Sequence, residues 1–230
     1  ASDVYKRQGG NCTATLAAAA SCNVEVSFTP TATGLQSDAI QIDYNNGIAL
    51  TSSTRNVQGT GITPALLTLS DSDPYNYGLV AIGGGTATRV FTVTNSGASN
   101  ATAMTEVGLA APYNFVGGSY PGTGGDCSGT LSGGGSTCTI AVEFAPTITG
   151  IQLDTVSLQY NDGAAVQNAT RDLQGNGGTP ATLTISDGPT YDYLTHATGS
   201  STAYIFTITN SGALSATSMA CLLYTSDAAD

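Results

Sequence analysis

Apolar and polar residues alternate along short stretches of this chain. In residues 138–144 every second side chain is large and apolar, and residues 22–28 repeat the pattern. Because successive side chains of a strand face opposite sides, this alternation predicts strands that bury one face. Asn46-Gly47 and Asp162-Gly163 follow two such stretches and are typical of tight hairpin turns. No window shows sustained helical periodicity, so the pattern predicts an all-β fold.

The chain repeats itself. Residues 22–71 align without a gap on residues 138–187, and half of the aligned positions are identical. A second block, residues 91–98, recurs as residues 206–213. The repeat period is about 115 residues, the usual size of one domain. Several short strands per period, separated by turn signals, predict tandem immunoglobulin-like β-sandwich repeats.

The repeat predicts the domain boundaries. We expect residues 9–63 to be the C-terminal half of one repeat, residues 64–178 to be a complete repeat, and residues 179–220 to be the N-terminal part of a third. Glycine and proline mark both boundaries. Residues 64–178 are therefore expected to form a closed sandwich between two incomplete units.

The two ends of the chain resemble translated transposase-adapter sequence. A DNA sequence that encodes residues 1–8 has a reverse complement that encodes residues 221–228 in another frame. We therefore treat residues 1–8 and 221–230 as adapter artefacts and exclude them from the fold prediction.

Composition excludes several classes of function. The chain has 5 Lys+Arg against 16 Asp+Glu, a formal net charge of −11, and a charged fraction of 9%. A nucleic-acid-binding face is not expected, because phosphate neutralisation needs clustered Lys and Arg. No apolar run reaches the length of a membrane-spanning helix. The few titratable residues predict no enzyme activity and no cofactor.

Four cysteines outside the adapter segments form two pairs at matching positions of the repeat, Cys12 with Cys22 and Cys127 with Cys138. One pair per unit favours disulfides within each unit, formed in an oxidising compartment. Two alternatives stay open. A zinc site would need about four ligands where each unit offers two thiolates. Reduced, buried structural cysteines are the other possibility.

Candidate ligand-binding residues are few. Asp71-Ser-Asp73 and Asp43-Tyr-Asn45 place oxygen ligands two residues apart, as a calcium site could use, although neither fits an EF-hand and the second acid of the first motif is absent from the third unit. The pairs Tyr75 with Tyr77 and Tyr191 with Tyr193 could stack on sugars, or could pack at the edge of the sandwich. His196 has no equivalent histidine in the other units and no second candidate base, which argues against a catalytic site.

Several motifs follow one another in a fixed order along the chain. They are residues 78–83, residues 91–97, the Cys127 and Cys138 pair, residues 144–150 and residues 173–175. Together they closely resemble the bacterial choice-of-anchor D repeat, which is similar to the Hydin-like immunoglobulin-like domains of ciliary and centrosomal proteins. The resemblance covers essentially all of residues 9–220, and it departs at Leu194, which stands where the preceding unit has Gly78.

The resemblance implies a large secreted or surface-anchored bacterial protein and brings no catalytic residues. We expect a non-catalytic structural or adhesive spacer array, extracellular or at the cell surface, whose partners are neighbouring repeats of the same chain and an unidentified surface glycan or protein. One alternative is a carbohydrate- or calcium-binding accessory module of a larger secreted enzyme. The other is an intracellular scaffold of the Hydin type, for which free thiols would be expected.

Overall fold

The computed structural model describes the backbone of residues 5–221 and the side chains of residues 10–221. Within that part of the chain it consists of strands, turns and loops, without a helix. The predicted all-β class is therefore confirmed. The strands are β1 (Tyr5–Gly10), β2 (Val24–Phe28), β3 (Gly34–Asn45), β4 (Leu50–Gly61), β5 (Leu67–Leu69), β6 (Tyr75–Ala81), β7 (Ala87–Asn95), β8 (Ala101–Glu106), β9 (Tyr113–Phe115), β10 (Thr130–Leu131), β11 (Ser136–Phe144), β12 (Gly150–Asn161), β13 (Val166–Gly178), β14 (Leu183–Ile185) and β15 (Ile208–Asn210).

Two larger sheets are built from β5 to β13. The four-stranded sheet has the order β5-β7-β11-β9, and the five-stranded sheet has the order β10-β8-β12-β13-β6. In immunoglobulin lettering these are the A-B-E-D and C′-C-F-G-A′ sheets, and the topology is immunoglobulin-like. β10 departs from the usual chain order, because it joins the edge of β8 after β9 has already been added to the other sheet.

The first strand of the sandwich is shared between the two sheets. β5 pairs antiparallel with β7, and the chain then crosses so that β6 pairs parallel with β13 on the opposite sheet. β6 and β13 lie close to the two ends of residues 64–178. The second strand of residues 64–178 is therefore hydrogen-bonded side by side with the last strand.

The core lies between these sheets and follows the predicted alternation. On β7, Phe91 and Val93 are fully buried, whereas Val90, which precedes Phe91 and points to the other face, is 46% exposed. The other fully buried core side chains come mainly from the facing strands β11 and β12 and from β13, and they are Ile140, Val142, Phe144, Val156, Leu158 and Leu173, joined by Tyr113 of β9.

Three further sheets are two-stranded: β1 with β2, β3 with β4, and β14 with β15. Residues 5–8, which the sequence analysis set aside as adapter, belong to β1 and pair with β2. The rest of the proposed adapter segments, residues 1–4 and 222–230, lies outside the described residues. Cys221 is described and carries an exposed free thiol.

Candidate functional site

The four paired cysteines form two disulfides. Cys12 bonds to Cys22 and Cys127 bonds to Cys138, each with a Cα–Cα distance of 4.9 Å. Both members of the second pair are buried at the end of the core. Each bond closes the loop that precedes a strand. Cys138 lies in β11, and Cys22 lies two residues before β2. With their sulfurs bonded to each other, these cysteines are not arranged as zinc ligands.

In the first candidate calcium motif, both aspartates form ion pairs with arginines. Arg89 forms two hydrogen bonds with the carboxylate of Asp71, one of them 3.1 Å from Nε to Oδ2. This pairing holds the pKa of Asp71 below its ordinary value. Arg171 lies 3.5 Å from Asp73, whose other carboxylate oxygen accepts a hydrogen bond from the backbone N–H of Asp172. Both carboxylates are thus neutralised by the protein itself.

The two oxygen-bearing side chains of the second candidate motif, Asp43 and Asn45, also bind partners within the protein. The carboxylate of Asp43 accepts a hydrogen bond from Gln41, and the side chain of Asn45 accepts one from the backbone N–H of Gly47. Among the described residues no group of three or more His, Cys, Asp or Glu side chains is placed to hold a metal ion. The oxygen ligands that the sequence singled out stabilise a strand and its turn.

Tyr75 and Tyr77 pack against the core. The ring of Tyr75 meets Phe91 edge-on at 5.2 Å between centroids, and the hydroxyl of Tyr77 donates a hydrogen bond to the carbonyl of Val142. Burial raises the pKa of Tyr77 well above its ordinary value. Arg89 also lies over the Tyr75 ring, 5.4 Å from its centroid. Neither ring offers the open face that a stacked sugar would need.

The equivalent tyrosines near the C-terminal end are more open. Tyr191 stacks on Tyr204 with 4.0 Å between ring centroids, and Tyr193 is 42% exposed. Leu194 has a φ of 64°, close to the φ of 76° at the equivalent Gly78. The turn therefore keeps its left-handed geometry although leucine replaces glycine.

His196 lies on an exposed turn. Its Nε2 is 2.6 Å from the carbonyl oxygen of Tyr193, and Thr202 lies 3.4 Å from both ring nitrogens. These contacts are local in sequence and join the two sides of one loop. The described residues place Tyr193 and Thr202 against the imidazole, and no carboxylate among them hydrogen-bonds to it.

The sequence analysis did not single out Asn95, which has a role in the core. Asn95 is fully buried, and its Oδ1 accepts hydrogen bonds from the backbone N–H groups of Leu66 and Gly97. Its Nδ2 donates to the carbonyls of Ser99 and Leu131. Asn210 makes the matching contacts with Thr182, Gly212 and Leu214. Recurrence of Asn-Ser-Gly in both units was the signal that could have revealed this role.

Two further positions use aspartate in one unit and asparagine in another for the same contact. Asp162 accepts hydrogen bonds from the backbone N–H groups of Ala164 and Ala165, which hold its pKa below the ordinary value. Asn46 accepts the equivalent pair in the β3–β4 turn. Likewise Asp126 accepts from the backbone N–H of Thr139, as Asn11 does from Asn23. The shared requirement is an acceptor oxygen, not a charge.

The segment after β13 is anchored within a few residues of that strand. The backbone N–H groups of Ala213 and Leu214 both donate to the carbonyl of Thr179. A Cβ placed on Gly178 would come within 2.9 Å of Leu214 and 2.8 Å of Leu79. The end of the closed unit and the start of the next segment are therefore in contact, without a flexible linker between them.

No family model matches the chain, and no curated protein matches it. Among solved structures, the chain is similar to the VesB protease of Vibrio cholerae at 19% identity over 49% of this chain and 32% of that one, with a TM-score of 0.38. It is similar to PapD-like domain 7 of human CEP192 at 14% identity over 52% of this chain and 88% of that domain, with a TM-score of 0.36. A protein of unknown function from Porphyromonas gingivalis W83 matches at 12% identity over 66% of this chain and 71% of that one, also with a TM-score of 0.36. The chain thus spans about a third of the VesB protease.

The described residues contain no helix long and apolar enough to cross a membrane.

Proposed function

We propose that this chain is a non-catalytic, load-bearing spacer from an exported bacterial surface or extracellular protein. The observation that carries the proposal is the parallel pairing of β6 with β13, the second and the last strands of residues 64–178. A spacer must transmit tension through each unit without opening, and the geometry of these two strands decides how it does so.

Tension applied to the ends of residues 64–178 loads this pairing in shear. β6 and β13 run in the same direction, so pulling β6 from its N-terminal side and β13 from its C-terminal side slides one strand along the other. The paired residues run from Tyr75 opposite Leu173 to Ala81 opposite Gly178. In shear these hydrogen bonds share the load, whereas a hairpin peeled from its end breaks them one at a time. β13 is also paired with β12 from Val166 to Gly177.

The disulfides support an exported setting. Disulfides persist in oxidising compartments and are rare in the reducing cytosol. Cys127–Cys138 also shortens the length that the unit can release under tension, since the residues between the two cysteines stay closed. The same bonds count against the intracellular scaffold.

The accessory-module alternative gains no specific support from the candidate residues. Tyr75 and Tyr77 pack on the core, and Asp71 and Asp73 are paired with Arg89 and Arg171. We therefore keep the spacer as the proposed function.

Single-molecule stretching tests the proposal. The full chain is held at its two ends and extended, and the comparison variant is held at residues 150 and 177, adjacent partners at the open end of the β12–β13 hairpin. We expect residues 64–178 to open at a clearly higher force in the first geometry than in the second. Under reducing conditions the length released should grow by about 35 Å, the extended length of the loop that the disulfide closes. Equal opening forces in the two geometries would overturn the proposal.

A further inference from the structure

We propose that Asn46 modifies itself: its side-chain amide is converted to a carboxylate after attack by the backbone nitrogen of Gly47. Asn46 lies in the turn between β3 and β4, where the backbone N–H groups of Ile48 and Ala49 both donate to its Oδ1 over 2.9 Å. The co-reactant is water, and ammonia is released. This inference does not rest on the proposed spacer function.

The reaction has two steps. In the first, the nitrogen of Gly47 loses its proton to hydroxide and forms a bond to Cγ of Asn46. The bond from Cγ to Nδ2 then breaks, ammonia leaves with a proton from water, and a five-membered succinimide ring remains. In the second step water adds to a ring carbonyl. Addition at Cγ gives aspartate, and addition at the main-chain carbonyl gives isoaspartate. Because both reacting groups belong to one turn, the attack is intramolecular and avoids the entropy cost of an encounter.

The turn stabilises the charge that the first step creates. When the nitrogen of Gly47 bonds to Cγ of Asn46, negative charge develops on Oδ1, which already accepts from two backbone N–H groups. Donors that are placed where charge develops lower the barrier to a reaction. Among the described contacts the Nδ2 of Asn46 makes no hydrogen bond, so the leaving group is not held in place.

The equivalent turn of the closed unit shows that such a pair of donors holds a negative charge. Asp162 stands at the position of Asn46, and the backbone N–H groups of Ala164 and Ala165 donate to its Oδ1 over 2.7 Å. These hydrogen bonds keep the pKa of Asp162 below its ordinary value. The aspartate that the reaction forms at position 46 would therefore keep the hydrogen bonds of the turn.

The attacking nitrogen is accessible. Gly47 lies outside the strand pairing, and its N–H donates to the side chain of Asn45. Gly47 is exposed and has open space where a Cβ would stand, so no side chain shields its nitrogen. Gly163 and Ala164 are exposed at the equivalent positions of the closed unit. A complete unit therefore leaves the tip of this turn open to water.

Asn176-Gly177, the second Asn-Gly sequence of the chain, provides the contrast. It lies inside β13, where Gly177 is paired with Gly150 on one side and with Val80 on the other. Gly177 is buried, and a Cβ placed on it would come within 2.1 Å of the carbonyl oxygen of Ile148. Ring closure at Asn176 would have to pull Gly177 out of both strand pairs. We therefore expect Asn176 to stay unmodified while the unit is folded.

Peptide mass spectrometry of the full chain tests the assignment. The protein is incubated at pH 8 and 37 °C, in buffer and in concentrated urea, and samples taken over several days are digested with pepsin in acid, where the reaction is slow. In buffer we expect Asn46 to be converted at least about tenfold faster than Asn176. In urea the two rates should converge, because unfolding removes the turn and the strand pairs and leaves two Asn-Gly sequences.

The Asp162→Asn variant repeats the test in the closed unit. It places an Asn-Gly sequence at the donors Ala164 and Ala165, so we expect position 162 to return to aspartate on the time scale of Asn46. Asn176 in the same molecule is the matched control, because it also belongs to residues 64–178. Thermal unfolding of that unit before the incubation checks that the variant is folded.

The outcomes are separable. Equal rates for Asn46 and Asn176 in buffer would overturn the proposal, because the turn would then add nothing to the sequence. Conversion of Asn46 that is slower in buffer than in urea would overturn it as well, because the two donors would then protect the amide. A folded Asp162→Asn variant whose amide at position 162 is as stable as Asn176 would be the third contrary result.

Discussion

Residues 64–178 and residues 179–220 carry the same strand pattern with opposite burial. Phe91 and Val93 are fully buried in the first region, and their equivalents Phe206 and Ile208 are 39% and 52% exposed in the second. Even the polar anchor is common to both, since Asn210 repeats contacts made by Asn95. The difference comes from the later strands, because β11 pairs beside Phe91, β12 and β13 lie in the facing sheet, and the described structure places no equivalent strands around Phe206.

The comparison separates what a strand pattern determines from what it does not. Alternation decides which side of a strand is apolar, and local anchors such as Asn210 hold turn geometry without any core. Burial depends on the partner sheet, which lies far away in sequence. A local segment can therefore have native hydrogen bonds at its turns while most of its apolar face contacts solvent.

The largest expected difference comes from removing the aromatic ring at the two equivalent positions. Phe91→Ala should destabilise the unit by about 4 kcal/mol, because it leaves a cavity in a filled core. Phe206→Ala should cost much less, since its ring already contacts solvent. Denaturant unfolding measures both losses of stability. Similar losses from the two substitutions would show that residues 179–220 possess a core of their own.

Removing each of the two disulfides should also affect the stability of residues 64–178 to different extents. Replacing Cys127 and Cys138 together by alanine should lower the stability of the closed unit by about 3 kcal/mol, through the added entropy of the unfolded loop. The matching replacement of Cys12 and Cys22 should leave that unit unchanged, because neither lies within it. Thermal unfolding followed by circular dichroism distinguishes the two. If replacing Cys12 and Cys22 shifts the main transition, the stability of residues 64–178 depends on residues 10–62, contrary to the prediction.

The same comparison can be made with a polar side chain, using the buried Asn95 and its exposed equivalent Asn210. Asn95→Ala should cost about 2 kcal/mol, since it leaves the buried N–H of Gly97 and the buried carbonyl of Leu131 without partners. Asn210→Ala should cost less, because water replaces the lost contacts at an exposed site. Hydrogen exchange of the Leu66 and Thr182 amides reads out each anchor separately. Equal protection losses would contradict the role of burial.

The smallest effect is a pH dependence that Asp162 has and Asn46 lacks. The pKa of Asp162 is lowered in the folded protein, so its ionised form adds stability at pH values above the ordinary carboxyl pKa. This contribution is lost as the pH falls through the lowered folded pKa. Asp162→Asn keeps the acceptor oxygen, so the stability advantage of the wild type over this variant should shrink towards acid pH. Unfolding midpoints between pH 7 and pH 2 measure the difference, and a constant gap would exclude this role.

The sequence predicted the β-class, because alternation and turn residues are local signals. It also paired the cysteines as the structure does, because each pair recurs at one place in the repeat. It did not reveal the crossing of the chain from β5 to β6, since the choice of sheet depends on β13, far away in sequence. The role of Asn95 was missed for a similar reason, because two of its partners, Leu131 and Ser132, lie more than one strand away.

The candidate ligand residues show a different limit. The sequence shows that Asp71 could bind calcium and that Tyr75 could stack on a sugar. It does not show that Arg89 hydrogen-bonds to Asp71 and lies over the Tyr75 ring. Spacing therefore suggested calcium and sugar sites where folding brings together an internal ion pair and an aromatic contact. The boundaries of the predicted repeats stay predictions.

The scarcity of basic residues has a consequence for how proteases can cut this protein. Residues 64–178 contain two possible cleavage points for trypsin-like proteases, Arg89 and Arg171. Both lie inside paired strands, and their guanidinium groups are held by Asp71 and by Asp73 with the carbonyl of Leu69. A protease needs an extended, accessible segment around the scissile bond. Digestion of this unit by trypsin must therefore wait for its strands to separate, which makes folding itself the protection against degradation.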